Sequence, residues 1–355
     1  MEERVIVEIV ASQSREEAGG MELMLTRGGR KNHLEGGRMN QKMHNELALD
    51  ICKIQDVLKK DFRQMEVIME RTNALREARF GKEIHLCVIQ NVKAGACTED
   101  CTFCHQSRHA SHPIEAGELL APEEIVSMIE SYDNTPVNRY SLVSSGYALD
   151  ARSIKHLASA MHLQNYPMKF CTSFGLLKKD SMDELKKMGV TRYHNNLETG
   201  RSYFPNLCTT HKYEQKINTL KEAKSTNMEI CCGGLFGVGE NDDQIIELIS
   251  TLAEIKPDAI PLNFYVSPDG SEANSQLKGL SRDKCLAIIM AFRLCFPETE
   301  IILAGGRTKY FRNQEELAFL AGASGIMTGN YLTTSGHDIS KDLIMLNKLG
   351  YTPRF

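Results

Sequence analysis

Lys93-Ala94-Gly95-Ala96-Cys97-Thr98-Glu99-Asp100-Cys101-Thr102-Phe103-Cys104-His105-Gln106-Ser107 follows the first apolar, β-rich run of the chain, residues 84–91. Three cysteines stand at a C-x3-C-x2-C spacing in a short, polar, turn-prone loop. A compact loop so spaced wraps its thiolates around one small object, and thiolates select soft metals, zinc and iron–sulfur clusters among them. Three sulfur ligands leave a four-coordinate site one ligand short. In a zinc site His105 is in place to complete the set. In an iron–sulfur cube one iron stays free to bind a substrate-like molecule. Spacing alone leaves both open.

Outward from this loop the chain repeats. Each apolar β-rich run is followed by a loop and an amphipathic helix. Strands are expected at 84–91, 139–144, 168–172, 192–197, 229–235, 259–265, 300–303 and 325–327. Helices are expected at 122–131, 151–163, 181–187, 213–225, 242–255, 281–295 and 314–321. Strands alternating with helices imply a parallel sheet, and eight is the number that closes a (β/α)8 TIM-type barrel. Upstream, Leu47, Ile51, Ile54, Val57, Leu58, Val67, Ile68 and Leu75 recur at helical spacing. The expected organisation is a flexible, glycine-broken extension over 1–40, N-terminal helices over 41–82, and the barrel over 83–355.

The 355 residues carry a net charge of −4 with acids and bases interspersed, so nothing in the composition suggests a nucleic-acid-binding surface. No apolar run spans a bilayer, and no signal peptide is read at Met1–Val10. Eleven cysteines, an odd number with Cys231 and Cys232 adjacent, fit a disulfide framework poorly. A reducing, cytoplasmic setting is expected, where cysteine clusters mean metal or catalysis. Cys52, Cys87, Cys208, Cys285 and Cys295 stand singly, and each reads as a buried small hydrophobe.

Barrel enzymes carry their active sites at the C-terminal ends of the strands. Polar and sulfur residues collect there: the loop cysteines after strand one, Ser141, Ser144 and Ser145 on strand two, and Cys171 on strand three. Asn195, Asn196 and Glu198 end strand four, Cys231 and Cys232 lie in strand five, Asn263 in strand six, and Arg307 follows strand seven.

Gly95-Ala96-Cys97-Thr98-Glu99-Asp100-Cys101 and Cys104-His105-Gln106-Ser107 resemble the biotin synthase family of radical S-adenosylmethionine (SAM) enzymes. So do Tyr193-His194-Asn195-Asn196-Leu197-Glu198-Thr199, the Gly233–Glu240 run, Pro261-Leu262-Asn263, Leu303-Ala304-Gly305-Gly306-Arg307 and Leu332-Thr333-Thr334. The resemblance covers about residues 60–352. It implies conversion of dethiobiotin to biotin, a homodimer, and ferredoxin or flavodoxin as electron donor. It implies that Cys97, Cys101 and Cys104 hold a 4Fe–4S cluster whose free iron binds SAM, which is cleaved to a 5′-deoxyadenosyl radical. Asn196 and Glu198 are implied on the ribose hydroxyls, with glutamate here where the family usually has aspartate. Gly233, Gly234 and Gly237 are implied along SAM, and Asn263, with Asn196, on the substrate.

The family pattern also implies an auxiliary iron–sulfur cluster as sulfur donor, usually 2Fe–2S, on cysteines of strands two, three and five and an arginine after strand seven. Here strand two has Ser141, while Cys232 stands where serine is usual. The number of thiolates is kept, so the expected set is Cys171, Cys231 and Cys232, with Arg307 in the arginine's place. This resembles an anaerobe-type variant with a 4Fe-type cluster carrying an extra sulfide. Adjacent strand residues point to opposite faces, so the expectation requires an irregular strand end at Gly233-Gly234. It competes with two others: Cys232 packed outside the barrel, or Ser141 as ligand. Rival functions are another radical SAM enzyme of the same branch, such as a hydrogenase maturase or methylornithine synthase, and a zinc-stabilised, non-enzymatic scaffold.

Overall fold

The computed structural model describes residues 53–266, 280–329 and 336–354. The expected extension over 1–40 lies outside the described residues, as does the upstream part of the N-terminal helices. The barrel unit runs Glu46–Phe355.

Among the described residues ten strands are interspersed with helices: β1 Glu83–Lys93, β2 Arg139–Ser144, β3 Lys169–Ser173, β4 Val190–His194, β5 Glu229–Cys231, β6 Gly234–Phe236, β7 Ala259–Phe264, β8 Glu300–Leu303, β9 Gly325–Met327 and β10 Thr352–Pro353. All pair in parallel, in the order β1-β2-β3-β4-β5-β7-β8-β9, and β9 returns to β1 through His85↔Gly325. β6 continues the fifth stave after a break at Cys232-Gly233 and pairs with β7 at Gly234↔Leu262. The result is the expected closed eight-stave barrel, with β10 added beside the start of β1. Helices over 53–58 and Glu66–Phe80 precede it.

The pleat sorts the side chains. Leu86, Val88, Tyr140, Leu142, Phe170, Tyr193, Ile230, Cys232, Ile260, Leu262, Ile301, Leu303 and Ile326 belong to the large apolar cluster between sheet and helices. The helix Asp242–Ile255 adds Ile245, Leu248, Ile249 and Leu252 to it, and starts where Asn241 Oδ1 accepts from Gln244 N–H. The alternate residues turn inward. Cys231, Ala259 and Ile302 form a small separate cluster.

Charged side chains fill the lower barrel. Arg192 pairs with Glu229 (2.8 Å) and Glu300 (3.0 Å), Arg139 with Glu229 (2.7 Å), and Arg354 with Glu300 (2.9 Å). Buried charges persist only when paired in this way. The network closes one end, so ligands enter from the C-terminal ends of the strands. No helix among the described residues is long and apolar enough to cross a membrane.

Candidate active site

A cavity of about 430 Å³ opens at that end, lined by residues from every stave. The cysteine loop after β1 forms part of its rim. The loop is tied to itself by Cys97 N–H donating to the Gln106 carbonyl (3.0 Å) and Gly95 N–H to Gln106 Oε1 (2.7 Å). Gly95 has φ +63°, and a Cβ there would lie 2.8 Å from the Ala116 Cα, so the turn requires glycine.

Cys97, Cys101 and Cys104 all face the cavity. Two sulfurs on one zinc ion lie at most about 4.6 Å apart, given a Zn–S distance of about 2.3 Å. Among the described residues, the group of three potential donors within 4.8 Å of one another is Cys101, Cys208 and His211, not the loop trio. Nor does His105 join the trio; its Nδ1 lies 3.2 Å from the His112 carbonyl. The spread of the thiols suits a larger object, a cluster, better than one ion.

Cys208 is no mere hydrophobe. Its Sγ lies 3.2 Å from His211 Nδ1 and 3.2 Å from Asp100 Oδ1, while His211 Nδ1 is 2.7 Å from Glu99 Oε2. A hydrogen bond from Cys101 draws the Cys208 thiol down to about 4 against the effect of burial, with His211 and Thr210 helping. Asp100 accepts from the N–H groups of Thr209 (2.9 Å) and Thr210 (3.2 Å). The segment 208–211 therefore buttresses the loop. The Cys-x2-His spacing was the available signal for it.

Asn196 and Glu198 both reach the cavity, but not through strand pleat, because β4 ends at His194. Glu198 sits at φ +73° and its N–H and that of Leu197 approach the Gly233 carbonyl (3.3 and 3.1 Å). Asn196 Oδ1 accepts from Gly233 N–H (3.0 Å). Burial raises the Glu198 carboxyl, with Lys216 and Asn196 pulling it back. Lys216 Nζ donates to the Asn196 carbonyl (2.9 Å). Such a left-handed, non-glycine residue is held by its surroundings and marks a site that needs one geometry.

Gly233, Gly234 and Gly237 are not among the cavity-lining residues. Their close approaches are to protein: Pro261 at Gly233, Leu248 and Glu198 at Gly234, Leu280 at Gly237. Asn263 does line the cavity, with Oδ1 accepting from Gly305 N–H (3.0 Å) and Nδ2 donating to the Gly234 carbonyl (3.3 Å). That leaves one N–H and acceptor capacity for a ligand.

The auxiliary set expected from sequence does not assemble. Cys171 and Cys231 face the cavity, but Cys232 is fully buried in the outer apolar cluster. The strand does break after Cys232, yet Cys232 N–H still bonds the Ala259 carbonyl (3.0 Å), which keeps its side chain on the outer face. Arg307 is also displaced from the cavity. It is fully buried and donates to both carboxylate oxygens of Asp342 (2.9 and 2.8 Å), on the helix Ile339–Lys348. The inward residue on β8 is Ile302. Cys87, read from sequence as a hydrophobe, lines the cavity instead, as do Ser141, Arg139 and Arg192. Burial pushes the Cys87 thiol up to about 12, and Cys171 adds to the rise. Cys231 is raised too, by burial and then by Cys171, with Cys87 contributing. The three thiols thus line one cavity inside the barrel.

The Radical SAM superfamily matches residues 91–252, and the Biotin and Thiamin Synthesis associated domain matches residues 261–352. The chain is 40% identical over 314 residues to a biotin synthase of Maridesulfovibrio salexigens, covering 88% of this chain and 95% of the relative. A biotin synthase of Desulfatibacillum aliphaticivorans is 40% identical over 288 residues, covering 80% and 87%. Among solved structures, a methylornithine synthase matches with TM-score 0.72 at 19% identity, covering 86% of this chain and 94% of that one. The FeFe-hydrogenase maturase of Carboxydothermus hydrogenoformans matches with TM-score 0.69 at 16% identity, covering 90% and 81%. At those identities the two structures speak for the fold alone.

Proposed function

This chain belongs to the biotin synthase family of radical SAM enzymes, and from that premise we propose that it inserts sulfur into dethiobiotin to form biotin, in the cytoplasm, as a homodimer reduced by ferredoxin or flavodoxin. The observation that carries this reading is a single cavity with two separate groups of thiols, one on the rim loop and one inside the barrel.

Cys97, Cys101 and Cys104, which line the rim of the cavity, would hold the rim cluster. When bound, the clusters supply the electron that cleaves SAM and the sulfur that enters the substrate, chemistry no acid or base side chain performs. The protein's own part is placement and exclusion of water. Glu198 offers a carboxylate, and Asn196 an amide, to the ribose hydroxyls of SAM. Asn263 presents its remaining amide hydrogen and lone pair to the ureido ring of dethiobiotin. Phe204, Phe264 and Val266 supply apolar wall where a radical must not meet solvent.

The test is anaerobic turnover with dethiobiotin, SAM and a low-potential reductant. Biotin is expected, with one 5′-deoxyadenosine formed for each C–H bond broken. Deoxyadenosine without biotin, in protein shown by iron and sulfide analysis to hold both clusters, refutes the assignment.

A further inference from the structure

We infer that the auxiliary cluster of this chain is held by Cys87, Cys171 and Cys231, on the first, third and fifth staves, and that Cys232 takes no part. The inference rests on the biotin synthase reading above and names the residues of its second metal site.

The three thiols share one face of the sheet. Cys87, Cys171 and Cys231 line the cavity, and their strand neighbours Leu86, Val88, Phe170, Ile230 and Cys232 belong to the outer cluster. Moving Cys232 inward requires β5 to slip by one residue. That slip would turn Ile230 into the barrel, bring Cys231 out and break the register His194↔Cys231. Cys87 needs no such change.

The surroundings suit an anionic cluster. Arg139 and Arg192 flank the thiols, each about 96% buried. Both guanidinium groups act on Cys171, and Arg192 acts also on Cys231. Arg192 spends its donors on Glu229 and Glu300, whereas Arg139 uses its terminal nitrogens on Thr191 (3.0 Å) and Glu229 (2.7 Å). Arg139 Nε is buried with no hydrogen-bond partner. A buried charged donor left unpaired in a protein cavity is costly, and a sulfide-bearing ligand satisfies it. Ser141, the register partner of Cys171, occupies the position between β1 and β3 where a strand-two thiol is missing. Cys87 on β1 restores the third sulfur from the next stave.

The experiment compares Cys87→Ala, Cys87→Ser and Cys232→Ala in the anaerobically reconstituted full chain. Iron and acid-labile sulfide are measured per chain, with the electron paramagnetic resonance signal of the reduced rim cluster and its change on adding SAM. Both Cys87 variants are expected to lose the auxiliary share of iron and sulfide and all biotin formation, while the rim signal and SAM cleavage persist. Cys232→Ala is expected to keep full iron and sulfide. Wild-type iron content in either Cys87 variant, or loss of the auxiliary share in Cys232→Ala with the rim signal intact, overturns the inference. The wild-type protein separates the two levels: iron no greater than the rim cluster alone removes the biotin synthase reading itself. The rim signal and circular dichroism report folding independently, so a misfolded variant is recognised, and Cys87→Ser, close in volume, then decides.

Discussion

Replacing Gly233 with alanine tests how the barrel break builds the proposed SAM site. Gly233 lies between β5 and β6, and a Cβ there would fall 1.9 Å from the Pro261 carbonyl oxygen and 2.9 Å from its Cδ. Relief to 3.0 Å requires a movement of about 1 Å, and the obstacle is the backbone of β7, which no rotamer change removes. Overpacking a core costs about 1–3 kcal/mol when side chains absorb it. Here the movement also disturbs the bonds from Leu197 and Glu198 N–H to the Gly233 carbonyl, and from Gly233 N–H to Asn196. Each is worth about 0.5–1.5 kcal/mol net. A loss of about 3–5 kcal/mol follows, a large part of the total stability of about 5–15 kcal/mol usual for a folded protein. The melting temperature should fall by about 10 °C at about 2–4 °C per kcal/mol. Because Asn196 and Glu198 hang on this residue, SAM affinity should fall at least about tenfold, about 1.4 kcal/mol. Gly234→Ala is the control. Its nearest obstacle is the Leu248 Cδ2 at 2.6 Å, the far end of a flexible side chain, and the Glu198 carbonyl oxygen at 2.9 Å need yield only about 0.1 Å, so a smaller loss of about 1–2 kcal/mol is expected. Thermal melting by circular dichroism and SAM titration by equilibrium dialysis measure both. Gly233→Ala melting within 2 °C of wild type, with unchanged SAM binding, refutes the reasoning.

Glu198→Gln keeps shape but replaces the carboxylate expected to accept from the SAM ribose; a charged hydrogen bond is worth about 1.5–3 kcal/mol, so the SAM dissociation constant should rise about tenfold to a hundredfold while auxiliary iron is unchanged. Equal SAM affinity in wild type and variant would remove Glu198 from that role. His85 makes stability depend on pH. Burial lowers it from 6.5 to about 4, with Arg192, Arg139 and Arg354 assisting and Glu300 opposing. The unfolded chain takes up a proton that the folded chain refuses, so this contribution is whole above pH 6.5 and is lost as pH falls toward 4, about 2 kcal/mol by pH 5. The depressed carboxyls of Glu229 and Glu300 start from 4.5, so their own contribution is lost mainly below pH 5. Urea midpoints at pH 7 and pH 5 should therefore drop further for wild type than for His85→Gln; parallel drops would contradict the assignment.

The helices over Tyr213–Ser225 and Asp242–Ile255 were legible to the residue, because apolar spacing and capping are local signals. β4 was expected too far along. Its expected end at Leu197 lies beyond the observed end at His194, since the turn that lifts Glu198 into a left-handed conformation depends on contacts with Gly233 and on no local signal. Cys208 is buried in the apolar cluster as expected, but its polar partners were legible only through the Cys-x2-His spacing. Its partners Asp100 and Glu99, through His211, lie more than a hundred residues earlier in the chain.

The sequence by itself determined the rim loop, the eightfold alternation and the family, since each resides in short runs whose spacing is read without knowing what lies across the barrel. It also determined that Cys231 and Cys232 face opposite ways, because the pleat has a period of two. It did not determine which of them faces inward, nor which other thiol meets it. That depends on register between staves and on closure of β9 onto β1, both set by long-range packing. Only the closed barrel brings Cys87 to the face shared by Cys171 and Cys231 and sends Cys232 and Arg307 out of the cavity.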